Sequence, residues 1–248
     1  AAVYAAGMLR GRRDAYHRRG LALGLAMAAI LAPVQLGVGD LLGRTVADNQ
    51  PAKLAALEGQ YPTERGAGLS LGSIPVPGQA RTVLNLKVPD LLSILAKDDP
   101  HATIRGLSSF PKQDRTPMAL PVRLSFLGMV GIGTYLIALS LWYWLRRKGR
   151  PRPEDRLTLL AVVSSGPLAF LANELGWLST EFGRQPWLVY NVFRTKAGIT
   201  TAPGLGATFT GFTLLYMALA AATVWLLRRL ATGAPTALAA ERWMAAGT

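Results

Sequence analysis

The sequence predicts an all-α fold, a multi-pass transmembrane helical bundle with a long extracytoplasmic loop. Hydrophobic residues make up 50% of the 248 residues and charged residues only 17%, a balance that is unusual in a soluble protein. A helix needs roughly 20 apolar residues to cross the hydrocarbon layer of a membrane. Four segments reach that length, namely residues 21–39, 122–145, 157–178 and 206–227.

The positions of the basic residues predict how the helices are oriented. Lys and Arg outnumber Asp and Glu by 27 to 14, and the basic clusters precede the first span, separate the second from the third, and follow the fourth. If every segment crosses, all three clusters fall on one side, which the positive-inside rule places in the cytoplasm together with the C-terminus. The clusters adjoin spans and do not form a basic face interleaved with aromatic residues. We therefore expect contact with the lipid bilayer and no nucleic-acid partner.

Four regions follow from this pattern. Residues 1–39 contain the end of one transmembrane helix, a cytoplasmic basic loop and the next transmembrane helix. Residues 40–119 form the extracytoplasmic loop, residues 120–230 three transmembrane helices, and residues 231–248 a cytoplasmic tail. The chain opens in what reads as the end of a helix, with no initiator Met or signal peptide before it. We therefore expect further helices before residue 1.

The loop contains two short helical patterns. ADNQPAKLAALEGQ predicts a helix capped by Asp48 or Asn49, with Pro51 in its first turn and Gly59 at its end. VPDLLSILAKDDP is too short to span a membrane, so we expect it to lie against the protein or the membrane surface. Lys53 in the first helix reads, by itself, as a solvated helix charge, and so does Glu58 five residues later.

Two carboxylates near the end of the third span are candidate functional groups. Glu174 and Glu181 are seven residues apart and so share nearly one helical face. Carboxylates at or near membrane depth are costly and usually face a cavity, a proton path or a metal centre. The alternative is a carboxylate paired within the bundle, for which Arg184 is a partner. Gly183 also reads as a helix stop and Trp187 as an interfacial aromatic residue.

The second span contains a methionine with two interpretations. Met129 is most simply a packing residue, because thioethers fill irregular gaps, but Met is also an axial haem ligand. Small residues nearby allow close approach of either a neighbouring helix or a flat cofactor, and helix packing is the commoner cause. These small residues are Gly128, Gly131 and Gly133.

Three blocks together resemble the C-terminal half of subunit I of the cytochrome bd quinol oxidase family. In chain order they are GDLLGRTVADNQPAKLAALEG, SFLGMVGIG and NELGWLSTEFGRQPW. The resemblance implies that the chain runs from the end of the fifth helix of that subunit to its C-terminus. It identifies the loop as the quinol-binding loop of the family.

The resemblance also implies an enzyme activity, that of a quinol:oxygen oxidoreductase in the bacterial inner membrane. Such an oxidase oxidises quinol and reduces oxygen to water, and this chain would act only as part of the full subunit and complex. The implied cofactors are a low-spin haem b, a high-spin haem b and haem d. The implied partners are quinol, oxygen, a second membrane subunit and, as a further component, a small single-helix subunit.

Carried over to this sequence, the family motifs imply individual roles. Lys53 and Glu58 match the loop pair implicated in quinol oxidation, and Met129 matches an axial ligand of the low-spin haem iron. The position two residues before it departs from the family, because Leu127 stands where many members carry Arg. The interaction of that Arg with a propionate or with quinol is then absent, or it is supplied by Arg123.

The GRQPW block implies a second set of roles. Glu181 matches a ligand or immediate neighbour of a high-spin haem iron, and Arg184 its charged companion. Glu174 matches another carboxylate near the same haems, and Trp177 and Trp187 would line the cofactor site. The histidine ligands of the family lie in helices that would precede residue 1.

Two other functions stay open at this level. One is a truncated or degenerate membrane paralogue that keeps the bundle but has no catalytic activity, for which the change at Leu127 is a hint. The other is a transporter that relays protons through intramembrane Glu residues, which predicts inverted internal repeats. The sequence shows no such repeat.

Overall fold

The computed structural model describes residues 1–149 and 154–233, with only the backbone for 231–233. The predicted tail from residue 234 onward therefore lies outside the described residues, as do Arg150 and Arg152. The described helices are α1 (Ala2–Leu9), α2 (Ala15–Asn49), α3 (Pro51–Glu58), α4 (Leu91–Lys97), α5 (Ala119–Gly149), α6 (Arg156–Arg184) and α7 (Leu205–Gly233). The strands are β1 (Glu64–Arg65), β2 (Leu69–Leu71), β3 (Ile74–Pro75), β4 (Thr82–Val83), β5 (Leu86–Val88), β6 (Thr103–Ile104), β7 (Trp187–Val189) and β8 (Phe193–Arg194).

Within the described residues, four helices are long and apolar enough to cross a membrane, and they contain the four predicted spans. They are α2, α5, α6 and residues Leu205–Leu230 of α7. The predicted multi-pass helical class is therefore confirmed. With 35 residues, α2 is about 52 Å long, whereas the hydrocarbon core is about 30 Å thick. The helix is therefore longer than a single crossing requires, and its C-terminal end carries the loop.

The chain divides into a first unit, Ala1–Gly198, and a second unit that begins at Ile199. At one end of the first unit, α1, α2, α5 and α6 share a buried apolar core. Arg18 at the start of α2 pairs with Glu154 at 3.3 Å, and Arg146 at the end of α5 pairs with Asp155 at 2.8 Å. These contacts bring the first two basic clusters to the same end of the bundle. The core residues are Ala5, Met8, Leu21, Leu25, Leu139, Tyr143, Leu159 and Val162.

The loop at the other end of α2 has a folded structure of its own. Its strands form three antiparallel pairs, β1 with β6, β2 with β5 and β3 with β4. The all-α prediction did not include these strands, each of which has only two or three residues. Strands this short have no alternating pattern that a sequence could reveal. A small core lies beneath them: Ala47, Leu54, Ala67, Leu92, Ala96 and Ile104.

The first loop helix begins later than its sequence predicted. The expected cap at Asp48 or Asn49 is wrong, because α2 continues through both residues and Gln50 is the N-cap of α3. Pro51 does occupy the first turn of α3, as predicted. Gly59 ends the helix with a left-handed backbone at φ 63°, a conformation that glycine adopts without steric cost.

The second loop helix, α4, lies against the protein. Leu92 and Ala96 on one of its faces are 3% and 6% exposed, so burial of this face holds the helix on the loop core. Two ion pairs join its C-terminal end to the extended part of α2, which are Arg44 with Asp98 and Lys97 with Asp48.

Replacing Gly106 by alanine is expected to destabilise the folded loop by about 1–3 kcal/mol, the usual cost of forcing an extra group into a packed site. A Cβ at this position would lie 2.1 Å from the carbonyl oxygen of Tyr61 and 2.3 Å from Pro62, so backbone must move. Gly43→Ala in α2 is the control, since nothing lies within 4 Å of its Cβ position. The measurement is the temperature at which protease cuts the loop of the full-length protein in membranes. Equal cleavage temperatures for the two variants would contradict the prediction.

Candidate functional site

Met129 faces α6 from α5, at the level of the sequence block that contains the two carboxylates. Its side chain is half-buried, and a Cβ built on Gly176 would lie 2.9 Å from its Sδ. The thioether therefore rests on the bare backbone of Gly176. This contact brings together two of the three sequence blocks, SFLGMVGIG and NELGWLSTEFGRQPW.

The glycines around Met129 serve two different purposes. A Cβ at Gly128 would lie 2.8 Å from Cδ1 of Leu175 on α6, so this glycine allows close helix packing. Gly131 and Gly133 meet nothing within 4 Å. Gly133 is four residues after Met129 and so lies on the same helical face, which leaves room there for a flat group.

The last turn of α6 brings the loop to the second carboxylate. Gly183 is buried, and a Cβ there would lie 3.3 Å from both Cγ and Cε of Lys53. Glu181 and Arg184 form an ion pair at 3.5 Å, with side chains 39% and 38% exposed. The interpretation of Gly183 as a helix stop is wrong, because α6 continues to Arg184. Instead, its missing side chain makes room for Lys53.

Lys53 lies in a partly buried position near two charged residues. Burial lowers the pKa of Lys53, the Arg184 guanidinium lowers it further, and the Glu181 carboxylate acts in the opposite direction. Burial has this effect because it disfavours the charged ammonium form. The loop helix α3 thus places a lysine near Glu181 and Arg184, the two charged residues of the TEFGRQPW stretch.

Glu58, at the other end of α3, is buried and paired. It is 6% exposed, and its Oε2 lies 3.4 Å from Nη1 of Arg123 on α5. The interpretation of Glu58 as a solvated helix charge is therefore wrong. Burial raises the pKa of Glu58, and the Arg123 guanidinium acts against that rise. Lys53 and Glu58 accordingly have different charged partners and do not pair with each other.

Arg123 was named from the sequence only as a candidate substitute for the Arg missing at position 127, and the structure gives it different partners. It is 1% exposed and donates from Nη1 to the Leu57 carbonyl at 2.7 Å, from Nε to the Ser73 carbonyl at 3.2 Å, and from Nη2 to the Ser70 carbonyl. These bonds direct Arg123 into the loop, so they do not support a role as the substitute for an Arg at position 127. The signal in the sequence was an Arg inside an apolar span, which requires close partners.

The remaining predicted site residues lie along α6 and just beyond it. Trp177 is 60% exposed, and Glu174 is half-buried beside Asn173, whose Nδ2 donates to it at 3.5 Å. Trp187 belongs to strand β7 and lies under the guanidinium of Arg194 at 4.5 Å. Trp187 thus lies three residues beyond the end of α6, and its role as an interfacial aromatic residue stays a prediction.

The donor set at this site fits haem groups. Met129 offers a thioether and Glu181 a carboxylate, both of which can bind iron. Arg184 offers a planar guanidinium suited to a propionate. The indole Nε1 of Trp187 is buried and has no hydrogen-bond acceptor among the described residues. A buried donor of this kind is expected to have a partner, and a propionate oxygen would satisfy it.

A cavity of about 510 Å³ opens in the loop where α3 ends. This volume is within the range of small-molecule sites. The ion pair between Lys87 and Glu64, at 2.8 Å, forms part of its wall. Other lining residues include Gly59, Gln60, Tyr61 and Arg81.

These features define a polytopic helical membrane protein with a folded loop at one end of its bundle and haem-type donors on two adjacent helices. Residues 1–235 match the family described as Cytochrome bd terminal oxidase subunit I. The chain belongs to this family.

Individual relatives agree with the family. A protein of Bacillus subtilis (strain 168), named as a candidate cytochrome bd menaquinol oxidase subunit I, is 31% identical over 232 residues, which are 92% of this chain and 52% of the relative. The cytochrome bd-II ubiquinol oxidase subunit 1 of Escherichia coli (strain K12) is 26% identical over 303 aligned residues, covering 95% of this chain and 59% of the relative.

A solved structure is similar over nearly the whole chain. The bd oxidase from Geobacillus thermodenitrificans superposes with a TM-score of 0.81 at 34% sequence identity, covering 94% of this chain and 54% of that chain. The chain thus spans about half the length of the curated relatives it matches. The predicted family and the multi-pass helical fold are both confirmed, and the extracytoplasmic position of the loop stays a prediction.

Proposed function

We propose that this chain forms the C-terminal part of subunit I of a terminal quinol oxidase, which oxidises quinol and reduces oxygen to water. The observation that carries the proposal is the family match over residues 1–235. Two relatives are named as menaquinol and ubiquinol oxidase subunits. Activity requires the rest of subunit I and a second membrane subunit, with a small single-helix subunit as a further component.

The helical part of the chain supplies groups for the cofactors. When bound, a low-spin haem b, a high-spin haem b and haem d would supply the electron-transfer chemistry between quinol and oxygen. Met129 on α5 would hold the low-spin iron, and a neutral thioether favours a higher reduction potential than an anionic ligand. Glu181 would serve a high-spin haem as ligand or immediate neighbour. Arg184 and Trp187 would donate to propionates, and the exposed ring of Trp177 would line the same site.

The loop supplies groups for the quinol. Glu58 accepts a proton from a quinol hydroxyl as the electrons leave, and burial makes its carboxylate a stronger base than a surface carboxylate. Lys53 is the second loop residue proposed for quinol oxidation, and it lies near Glu181 and Arg184, where its charge also influences the haem-site carboxylate. Glu174, seven residues before Glu181, is a second carboxylate for proton transfer near the same haems.

The protein belongs in a bacterial inner membrane, with the loop at 40–119 outside and the C-terminus in the cytoplasm. Ion pairs join the first two basic clusters at one end of the first unit, and the loop lies at the other end of α2. This arrangement agrees with the positive-inside rule.

Replacing Glu58 by glutamine is expected to lower quinol-dependent oxygen uptake at least about 100-fold, because an amide of the same shape cannot accept a proton. The measurement uses membranes with the complete oxidase, expressed from its full locus in a strain without its own bd oxidases. Uptake driven by N,N,N′,N′-tetramethyl-p-phenylenediamine, which bypasses the quinol site, should stay unchanged. Asp99→Asn is the matched control, since Asp99 is exposed in the same loop and caps the backbone of His101.

Two outcomes of this experiment would contradict the proposal. Full quinol-dependent uptake by the Glu58 variant would remove Glu58 from the reaction. An unmodified oxidase that is present in the membrane but contains no haem would instead identify the chain as part of a non-catalytic paralogue.

A further inference from the structure

We propose that Arg123 is a positioning residue for quinol oxidation, which holds the Glu58 carboxylate and the surrounding loop at a fixed place on α5. The proposal rests on the proposed function, because Glu58 matters here as the proton acceptor. Arg123 lies outside the three sequence blocks by which the chain resembles the family.

The first argument is the completeness of the Arg123 contacts. Its guanidinium and Nε reach the Glu58 carboxylate and three loop carbonyls, and the side chain is 1% exposed. Removing a guanidinium from water is costly unless its donors are paired. Arg123 is therefore held in one conformation, and a movement of the loop relative to α5 would break several of these hydrogen bonds together.

The second argument is that Arg123 joins two separate parts of the loop. Leu57 and Glu58 belong to the last turn of α3, whereas Ser70 and Ser73 lie in and after strand β2. The hydroxyl of Ser73 also donates to the Glu58 carbonyl at 3.4 Å. The end of α3 is thus held from one side by β2 and the turn after it, and from the other by a membrane helix.

The third argument is register along α5. Arg123 is six residues before Met129, which corresponds to about 9 Å along the helix axis. One rigid helix therefore fixes the distance between the proposed proton acceptor and the proposed haem ligand. The electron and the proton leave the same quinol. If the loop shifted relative to α5, Glu58 as the proposed proton acceptor would move away from the proposed haem at Met129.

The charge of Arg123 has a further effect on Glu58. It faces this carboxylate from α5, with Nη1 3.4 Å from Oε2, whereas the Ser73 hydroxyl on the β2 side bonds the backbone carbonyl of Glu58 and not its carboxylate. A guanidinium favours the ionised carboxylate. Removing it raises the pKa of Glu58, so the carboxylate becomes protonated at a higher pH and the acid limb of the activity profile moves upward.

The test compares Arg123→Gln, Arg123→Lys and Arg115→Gln in the complete purified oxidase. Arg115 is the matched control, because its guanidinium also holds loop carbonyls, those of Phe110 and Ser108 at 2.8 and 2.9 Å, without a bond to Glu58 among the described contacts. The probe is a short-chain, water-soluble quinol. Its kcat and KM are measured as a function of pH, together with the reduced-minus-oxidised haem spectrum.

Arg123→Gln should lower kcat at least tenfold and move its acid limb to higher pH, with a normal low-spin haem spectrum. Arg123→Lys should return the acid limb toward its original pH while kcat stays low. An ammonium keeps the positive charge but lacks the planar set of donors that a guanidinium offers. Arg115→Gln should leave the acid limb in place.

Several results would overturn the proposal. A uniform loss of kcat at every pH for Arg123→Gln, or a loss of the low-spin haem in both Arg123 variants, would make Arg123 a general folding residue. Added to Glu58→Gln, the Arg123→Gln change should have little further effect, and an additive loss would show that Arg123 does not act through Glu58. If Glu58→Gln itself kept full activity, the proposed function of Glu58 would fail as well. If Arg123→Gln kept full activity while Glu58→Gln lost it, this inference would fail and the proposed function of Glu58 would stand.

Discussion

Replacing Met129 by alanine is expected to remove the low-spin haem signal from the complete oxidase and to lower quinol-dependent oxygen uptake at least about 100-fold. Loss of groups that merely support a metal ligand costs 10- to 100-fold in affinity or activity, and loss of the ligand itself should cost more. The prediction rests on the match of Met129 to the family motif, and the thioether lies at the α5–α6 contact, against Gly176. On the same face, one turn further, Gly133 leaves open space.

The measurement for Met129 is a reduced-minus-oxidised absorption spectrum of membranes that express the complete locus. Met118→Leu is the control, since Met118 is 44% exposed and precedes α5. We expect the control to keep the low-spin signal in full. An unchanged low-spin spectrum in the Met129 variant would show that its sulfur is a packing group only.

Replacing Glu181 by alanine is expected to remove or shift the high-spin haem signals while the low-spin signal remains. Glu181 is partly exposed in this chain and paired with Arg184 at 3.5 Å. Under the proposed assignment, removing the carboxylate would delete either an iron ligand or the counter-charge of Arg184 near the iron. Either change would alter the high-spin centre directly and leave Met129 untouched.

The same spectra give the measurement for Glu181. Asp155→Ala is the control, because Asp155 is a carboxylate at the opposite end of α6, where it pairs with Arg146. Its spectrum should match that of the unmodified oxidase. Normal high-spin signals in the Glu181 variant, with haem d present, would remove Glu181 from the haem site.

Much of the bundle could be predicted from hydropathy, because a membrane span must be long, apolar and helical. The four predicted spans lie inside the four helices found. The ends of the helices were less predictable. α2 continues through Asp48 and Asn49, both good capping residues, since local capping preference is weak against the continuation of a long helix.

The loop was the least predictable region. Its strands pair two or three residues at a time, for example Leu69–Leu71 with Leu86–Val88, and such pairs depend on contacts between distant segments. The partner of Glu58 could not be predicted for the same reason, because it is also distant in the sequence. Arg123 is 65 residues away in the sequence, so local spacing could not connect the two.

The sequence by itself determined the class of protein, the number of long apolar helices in the described chain and the family, because these depend on composition, length and local motifs. It also singled out Met129, Glu181 and Arg184 by their motifs. Only the tertiary structure decided which charges meet. It separates Lys53 from Glu58, places Lys53 at Gly183 and Glu58 at Arg123, and buries the second pair. The physical reason is that a buried charge requires a partner in space, and folding alone determines which distant residue supplies it.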